Sequence, residues 1–478
     1  MSEPTARRNA KIVATIGPAS WDPEILRSLL EAGVDVVRVN AAHNTIDVRR
    51  DIVKTIRTAA RETGRCVAIL QDLGGPKPRT GPLPDGETIS LRRGQEIELV
   101  PGDAQLMQER ISIDDANLFA QITPDRRVLI MDGLIELHTT ARQGDVVQAR
   151  VVRSGHLRGR QGVTVPGAKL PPRRITEQEA ADIAFAAEAG LEYLGVSFVT
   201  CGGDIQMVRD ELERHGGQCG IVAKIERPEA LEALHEIAHL SDAIMVARGD
   251  LGVQLMPEDV PIAQKQIIAV ARRHGTPVIT ATQMLESMIV QPIPTRAETS
   301  DVANAILDGS DAVMLSAETA TGQYPLEAVE MMNRIVTAIE RQCIYPQKAP
   351  EVADGPITTA SLIARAANDI VRRAPLVNTI AVFTRSGFSA REVARERAVV
   401  PIVALTNNDY IARKLSLVWG VTSIVAPFAS DTESLINDMT RRLVASGFAQ
   451  PGHNILFVGS LTVFNEPGHT NLLHIRPV

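Results

Sequence analysis

The sequence predicts an α/β protein built on a (β/α)8, or TIM, barrel, with a β domain set into it and a further α/β domain after it. Three observations predict this. A phrase of amphipathic helix, glycine and short apolar strand recurs along the first third and middle of the chain. Eight such strands can be counted before residue 330. One gap between them, from about residue 76 to 168, is too long for a single helix.

The strands are expected at residues 12–16, 36–39, 67–70, 193–198, 221–225, 243–247, 277–281 and 312–315. Their unbroken β-branched runs suit a parallel sheet covered on both faces. The clearest copies of the recurring phrase span 31–39, 188–198, 274–281 and 308–315, and each glycine suits a left-handed helix C-cap. Helix starts agree with the phrase. Asp22 precedes Pro23 at a first helical position, and Thr176 with Glu179 and Thr295 with Glu298 have capping-box spacing. The long third gap holds strand-like runs, such as 95–100 and 145–152, punctuated by Gly-Asp and Asp-Gly turns, and reads as an inserted β domain. From about residue 338, helices alternate with strands at 379–383, 402–405, 423–426 and 455–458. The expected division is therefore 1–75 and 169–337 for the barrel, 76–168 for the insert and 338–478 for a separate α/β domain. An open, doubly wound sheet is the alternative architecture.

Bulk properties narrow the function. A chain of 478 residues is too long for one ordinary core. Its net charge of -7, with few aromatics and no basic block, argues against a nucleic-acid partner, which would need a sustained cationic surface. Cys66, Cys201, Cys219 and Cys343 are scattered without metal-ligand or redox spacing, as in a protein kept reduced. The amino terminus has no apolar signal core, and no apolar run approaches the ~18 residues of a membrane helix. A soluble, cytoplasmic protein is expected.

In a parallel barrel all strands end on one face, where barrel enzymes keep their chemistry. The polar residues at those ends are Arg38 and Asn40, Gln71 and Asp72, Lys224 and Glu226, Asp250, Thr282, and Ser316 and Glu318. Singly, each would be read as a helix cap or a surface ion pair. Collected on one rim, they favour a functional site. The motifs Lys224-Ile225-Glu226 and Arg248-Gly249-Asp250 place two carboxylates where they can converge on one hard cation, with Lys224 and Arg248 supplying positive charge beside it. With Arg38 they form an electrostatic clamp suited to a phosphoryl group in transfer. No Walker A sequence occurs, so any phosphates are held by other means.

At this point the chain resembles the pyruvate kinases. The resemblance is carried by Thr280-Ala-Thr-Gln-Met-Leu-Glu-Ser-Met288, by Pro294-Thr-Arg-Ala-Glu298, by Ser300-Asp-Val-Ala-Asn-Ala305 and by Asp311-Ala-Val-Met-Leu-Ser-Ala-Glu-Thr319. Lys224-Ile-Glu226, the stretch from Met245 to Gly252, Lys11 to Ser20 and Gly162 to Gly167 extend it over nearly the whole chain. It implies a barrel with a small β-barrel lid inserted after the third strand, a carboxyl-terminal regulatory domain and a homotetramer. It also implies phosphoryl transfer from phosphoenolpyruvate to ADP, giving ATP and an enolate that is protonated to pyruvate.

By the same resemblance, Glu226 and Asp250 would bind Mg2+ or Mn2+, Lys224 would stabilise the moving phosphoryl group and Arg38 would hold the phosphate. Backbone around Gly249 and Asp250 would receive the substrate carboxylate, and Thr282 would sit near the proton delivered to the enolate. Asn40, His43 and Arg79 would line the nucleotide side. Thr384, Arg385, Ser386, Gly387 and Ser389 resemble a loop for an effector's phosphate, a sugar phosphate or a nucleotide. An ordinary capped turn is an equal reading of that loop.

The departures from the family pattern are informative. Ala42 stands where a serine hydroxyl helps to bind K+, and Lys77 stands where potassium-dependent members carry glutamate. With Asn40, Asp72 and the Leu73 carbonyl as the remaining monovalent-cation ligands, the Lys77 ammonium is expected to replace K+, which is then not required. Gln161 and Thr200 replace basic residues and leave nucleotide affinity open. The stretch Arg150, Arg153, Arg158, Arg160, Lys169, Arg173 and Arg174 is read as a solvated hinge face. Two other functions share parts of this pattern. A weakly catalytic paralogue sensing sugar phosphates would tolerate loss of Glu226, Asp250 and Lys224, and a metal-dependent pyruvate aldolase or lyase would not need the lid.

Overall fold

Short β-branched apolar runs that are buried on both faces suit interior strands, and here they close on themselves. The computed structural model describes residues 8–42, 44–75, 77–169, 173–342, 357–428, 431–460 and 470–478. Lys11–Ile16, Val36–Asn40, Ala68–Asp72, Tyr193–Val196, Gly220–Ile225, Ala243–Ala247, Val278–Ala281 and Ala312–Leu315 form a closed parallel barrel. The eighth strand returns to the first with Lys11 opposite Ala312, which removes the open-sheet alternative. Alternate residues explain the continuous hydrophobicity. Val13, Val36, Leu70, Val222, Met245, Ile279 and Met314 fill the barrel's interior, while Ile12, Val37, Ile69, Ile221, Val246 and Val313 pack outward under the helices.

Local signals set the helix ends. Asp22 accepts from the Glu24 and Ile25 N–H groups ahead of helix Pro23–Ala32. Thr176 with Glu179 and Thr295 with Glu298 form reciprocal capping boxes. Gly275 and Gly309 close helices Val260–His274 and Arg296–Asp308 in the left-handed region, at φ 71 and 107.

Boundaries differ in three informative places. The third strand continues to Asp72, a buried carboxylate turned into the site, whereas Gln71, expected at the site, faces outward and donates to the Asp182 carbonyl at 2.8 Å. The fourth stops at Val196, since Phe198 turns to φ 56 and leaves the ladder. Helix Pro325–Gln342 passes through the expected boundary at 337 without a break, its stripe continuing through Val336 and Ile339 against the barrel core.

The insert has its own core, including Ile97, Leu99, Ile111, Val128, Leu137, Val147 and Val163. In place of a complete small barrel it is a mixed six-stranded half-barrel, in the order Val163–Thr164, Arg127–Ile130, Ile135–Gln143, Val146–Arg153, Glu96–Pro101, Arg110–Ile113. The carboxyl-terminal sheet runs Val421–Val425, Ile402–Thr406, Val377–Phe383, Asn454–Gly459, Leu472–Pro477. Its last strand is antiparallel and was not expected, because His474 and Arg476 interrupt any apolar run at this exposed edge.

This last domain closes the barrel from below. Leu417, in the turn Leu415–Leu417, joins the interior layer of the barrel, and Trp419 joins its outer core. The Lys11 ammonium donates to the Val421 carbonyl at 2.8 Å, and the Tyr193 hydroxyl to that of Lys414 at 2.6 Å. Among the described residues, no helix is long and apolar enough to cross a membrane.

Candidate active site

At the carboxyl face, three strand ends bring one lysine against two acids. The Lys224 ammonium lies 2.8 Å from Glu226 Oε1 and 3.3 Å from Asp72 Oδ1, and donates to Ser197 Oγ at 2.9 Å. Asp72 is shared: Arg38 Nε donates to its Oδ2 at 2.9 Å, and Arg38 Nη1 reaches Thr15 Oγ1 at 3.1 Å. Burial pulls the Lys224 ammonium toward its neutral form, but Asp72 and then Glu226 outweigh it and hold its pKa above the ordinary value. Asp72 is pushed up by burial and drawn down further by Lys224 and Arg38, so it stays ionised. Glu226, only 1% exposed, is raised by burial and by the facing charge of Asp250, against the pull of Lys224.

The second half of the site begins at Asp250. Lys77 Nζ stands 2.8 Å from Asp250 Oδ1 and 2.8 Å from Asp132 Oδ1 of the inserted domain, so one ammonium ties the barrel rim to the lid. Burial opposes the charge on Lys77, but Asp250 and Asp132 raise its pKa overall. Beside them, the Gly249 N–H donates to Thr282 Oγ1 at 2.8 Å, and that hydroxyl donates to the Ala281 carbonyl at 2.7 Å.

Several expected residues have other partners here. The Arg248 guanidinium turns away from the acids, toward the backbone at 281–283 and Asp301, so it does not add charge beside them. Glu318 is buried and accepts from the Ser316 and Leu285 N–H groups, a structural use. Arg79 donates from its side chain to the Arg160 carbonyl in the lid. Asn40 Oδ1 accepts from the Ala42 N–H. Thr200, ahead of helix Gly202–Arg214, donates its N–H and hydroxyl to the Asp204 carboxylate, and Gln161 bonds within the lid to Thr80 and Gly159. His43 lies outside the described residues. Lys77 pairs with Asp250 and Asp132, while Asp72 serves Arg38 and Lys224 and the Leu73 carbonyl accepts from Ser197 Oγ at 2.8 Å.

Two residues of the site were missed. Ser197 bridges Lys224 to the Leu73 carbonyl, and its place just past the fourth strand is the same signal that singled out the others. The Phe198 N–H beside it holds Glu226 Oε2 at 2.8 Å. Arg173 is the second. It is buried, donates to the Ser197 carbonyl at 2.5 Å and pairs with Glu179, which corrects its reading as part of a solvated hinge. Arg150, Arg153 and Arg160 of that stretch are half-exposed and paired with Glu96, Glu136 and Asp103.

In the last domain, Gly387 at φ 83 opens helix Phe388–Arg395, and its N–H is held by Thr384 Oγ1 at 2.9 Å. Ser386 Oγ faces the Phe388 N–H at 3.5 Å, and Ser389 Oγ bonds Thr470 at 2.6 Å. A cavity of about 640 Å³ adjoins this loop, lined by Arg385, Asn407, Val425, Ala426, Pro427 and Phe428.

Comparison with known proteins bears on the whole chain. Residues 7–329 match the family model described as pyruvate kinase, barrel domain, and residues 361–476 match pyruvate kinase, alpha/beta domain. A pyruvate kinase of Agrobacterium vitis is 41% identical over 98% of each chain. One from Mycobacterium tuberculosis is 37% identical over 98% of each. A Geobacillus stearothermophilus pyruvate kinase is 39% identical over 99% of this chain and 81% of its own length.

Proposed function

This chain belongs to the pyruvate kinase family, a phosphotransferase converting phosphoenolpyruvate and ADP to pyruvate and ATP, and on that premise we propose how its own residues divide the work. The single observation that carries the assignment is the convergence of Arg38, Asp72, Lys224 and Glu226 from three strand ends, facing Asp250 from a fourth.

Lys224 stabilises the migrating phosphoryl group. Asp72 and Glu226 keep it charged, and Ser197 fixes its direction, so positive charge is in place before it is needed. Arg38, oriented by Asp72 and Thr15, holds the phosphate. Gly249 and Asp250 offer backbone to the substrate carboxylate, and the Thr282 hydroxyl lies at the proton's path to the enolate carbon.

Glu226 and Asp250 are hard oxygen donors and fit Mg2+ or Mn2+. Among the described residues no three His, Cys, Asp or Glu side chains form a metal cage, and a two-carboxylate site leaves the other positions of Mg2+ to water and phosphate oxygens. When bound, the ion neutralises phosphate charge. Asn40, His43 and Arg79 remain the proposed nucleotide side, under a lid carried by residues 76–168. The barrel is assigned to 1–75 and 169–337, its last helix running on to Gln342, and the rest of 338–478 to a regulatory domain whose Thr384 to Ser389 loop takes a phosphorylated effector. A homotetramer and a cytoplasmic location complete the proposal.

We extend it to K+ independence. The oxygens left for a monovalent cation are already engaged by Ala42, Ser197, Arg38 and Lys224, and the Lys77 ammonium supplies a fixed charge nearby.

The test is a coupled assay of pyruvate formation with Mg2+ for the native protein and for Glu226→Gln. The isostere keeps the backbone bond from Phe198 and removes a charge, so the variant is expected to fold and to lose Mg2+-dependent turnover. Unchanged turnover would overturn the metal assignment.

A further inference from the structure

Thr282 is held in a backbone conformation that β-branched residues avoid. It sits at φ 66, and Gln283 follows at φ 54. Such outliers persist only where the surroundings over-determine them. Here one side chain faces the whole turn. Arg248 Nε lies 3.2 Å from the carbonyls of both Ala281 and Thr282, and its Nη2 donates to Thr282 O at 2.6 Å and lies 3.3 Å from Gln283 O. Its Nη2 also lies 2.7 Å from Met284 Sδ. On the other side Nη1 pairs with Asp301 at 2.7 Å and reaches Gln264 Oε1 at 3.4 Å. Gln264 is itself anchored, donating to Asp308 at 3.0 Å. The Arg248 side chain is 10% exposed.

We propose that Arg248 is a positioning residue that holds the Thr282 hydroxyl for protonation of the enolate. The idea rests on the placement of Thr282 given above and adds the device that creates it. A planar guanidinium can grip three successive carbonyls at once, whereas an ammonium is a compact point charge and cannot reproduce the fork. The grip acts from behind the turn. In front, Thr282 Oγ1 is met by the N–H of Gly249, the residue next to Arg248. The same short segment therefore places both the proton arm at Thr282 and the metal arm at Asp250. In the step itself, the hydroxyl turns its O–H from the Ala281 carbonyl, that bond breaks as the methyl C–H bond forms, and water reprotonates the oxygen, the hydroxide left behind being neutralised by the one solvent proton that the overall reaction takes up.

The experiment compares Arg248→Lys, Asp301→Asn and Thr282→Ala in the full chain. Three quantities are read: exchange of the pyruvate methyl protons in D2O with Mg2+ and ATP, Mn2+ affinity by water proton relaxation, and kcat against KM for phosphoenolpyruvate. For Arg248→Lys, methyl exchange and kcat should fall by at least about tenfold while Mn2+ affinity and KM move by less than about threefold. Asp301→Asn, which loosens the anchor and keeps an acceptor, should shift the same quantities in the same direction by less. Exchange at the native rate in Arg248→Lys, or exchange lost in step with Mn2+ affinity, overturns the proposal; in the second case Arg248 supports the Asp250 segment instead. Full exchange in Thr282→Ala would instead remove the role given to Thr282, so the two failures can be told apart.

Discussion

Replacing Lys77 should make turnover respond to K+, if its ammonium takes the place of that ion as proposed. Its ammonium stands 2.8 Å from each of Asp250 and Asp132. Raw Coulomb attraction at that distance is roughly 6 kcal/mol per pair at an effective dielectric of ~20. Exposure removes most of it. Asp132 is 65% exposed, so its arm contributes at most about 1 kcal/mol. Asp250 is 30% exposed and accepts a charge-assisted hydrogen bond, a contribution of about 1.5 to 3 kcal/mol. Lys77→Met leaves Asp250 facing Glu226, with the charge of Lys224 still acting on both. A loss of about 2 kcal/mol corresponds to roughly a 30-fold lower kcat/KM in K+-free buffer. Added K+ should recover part of it, and Lys77→Glu should show a larger K+ activation. The assay is a steady-state K+ titration in Na+ or a bulky organic cation. Activation of the native protein by a hundredfold or more, or a Lys77→Met variant indifferent to K+, would refute the reasoning.

Lys224→Met should lose phosphoryl transfer by several orders of magnitude, because the charge held by Asp72 and Glu226 disappears where charge develops; a variant that still makes ATP but fails to exchange pyruvate's methyl protons would reverse the roles of Lys224 and Thr282. Leu417→Ala should cost roughly 2 to 5 kcal/mol in urea unfolding, since it leaves a void in the barrel's interior layer, whereas Leu376→Ala, at a residue 60% exposed, should change little. Equal effects would show that the barrel base does not depend on the plug. Burial pushes the Asp242 carboxyl up, but Lys414, the Ile221 N–H and Arg209 outweigh it and hold it below its ordinary 3.8. A depressed pKa stabilises above the unfolded value and loses that contribution as pH falls through the folded one. The Tm difference between native protein and Asp242→Asn should therefore be full near neutrality and shrink only below about pH 4; a difference constant down to acid unfolding would contradict it.

The sequence alone determined eight interior strands alternating with helices, because burial on both faces forces continuous apolar runs, while their closure into a barrel was decided by the pairing of the eighth strand with the first. It also determined which acids and bases share a face, since every strand of a parallel barrel ends on the same side. Caps at Asp22, Thr176 and Thr295 were legible for a similar reason: a cap is a contact within three residues. What a side chain touches across the fold was not legible. Lys77 meets Asp250 across 173 positions, Arg173 supports Ser197, and Leu417 enters a barrel whose strands lie far behind it in the chain. Arg248 shows the limit most clearly. Its position after the sixth strand placed it at the site, but the left-handed turn at Thr282 presents three carbonyls on the opposite side. The guanidinium follows those acceptors, because they lie within hydrogen-bonding reach and its charge is then fully paired without entering the cleft.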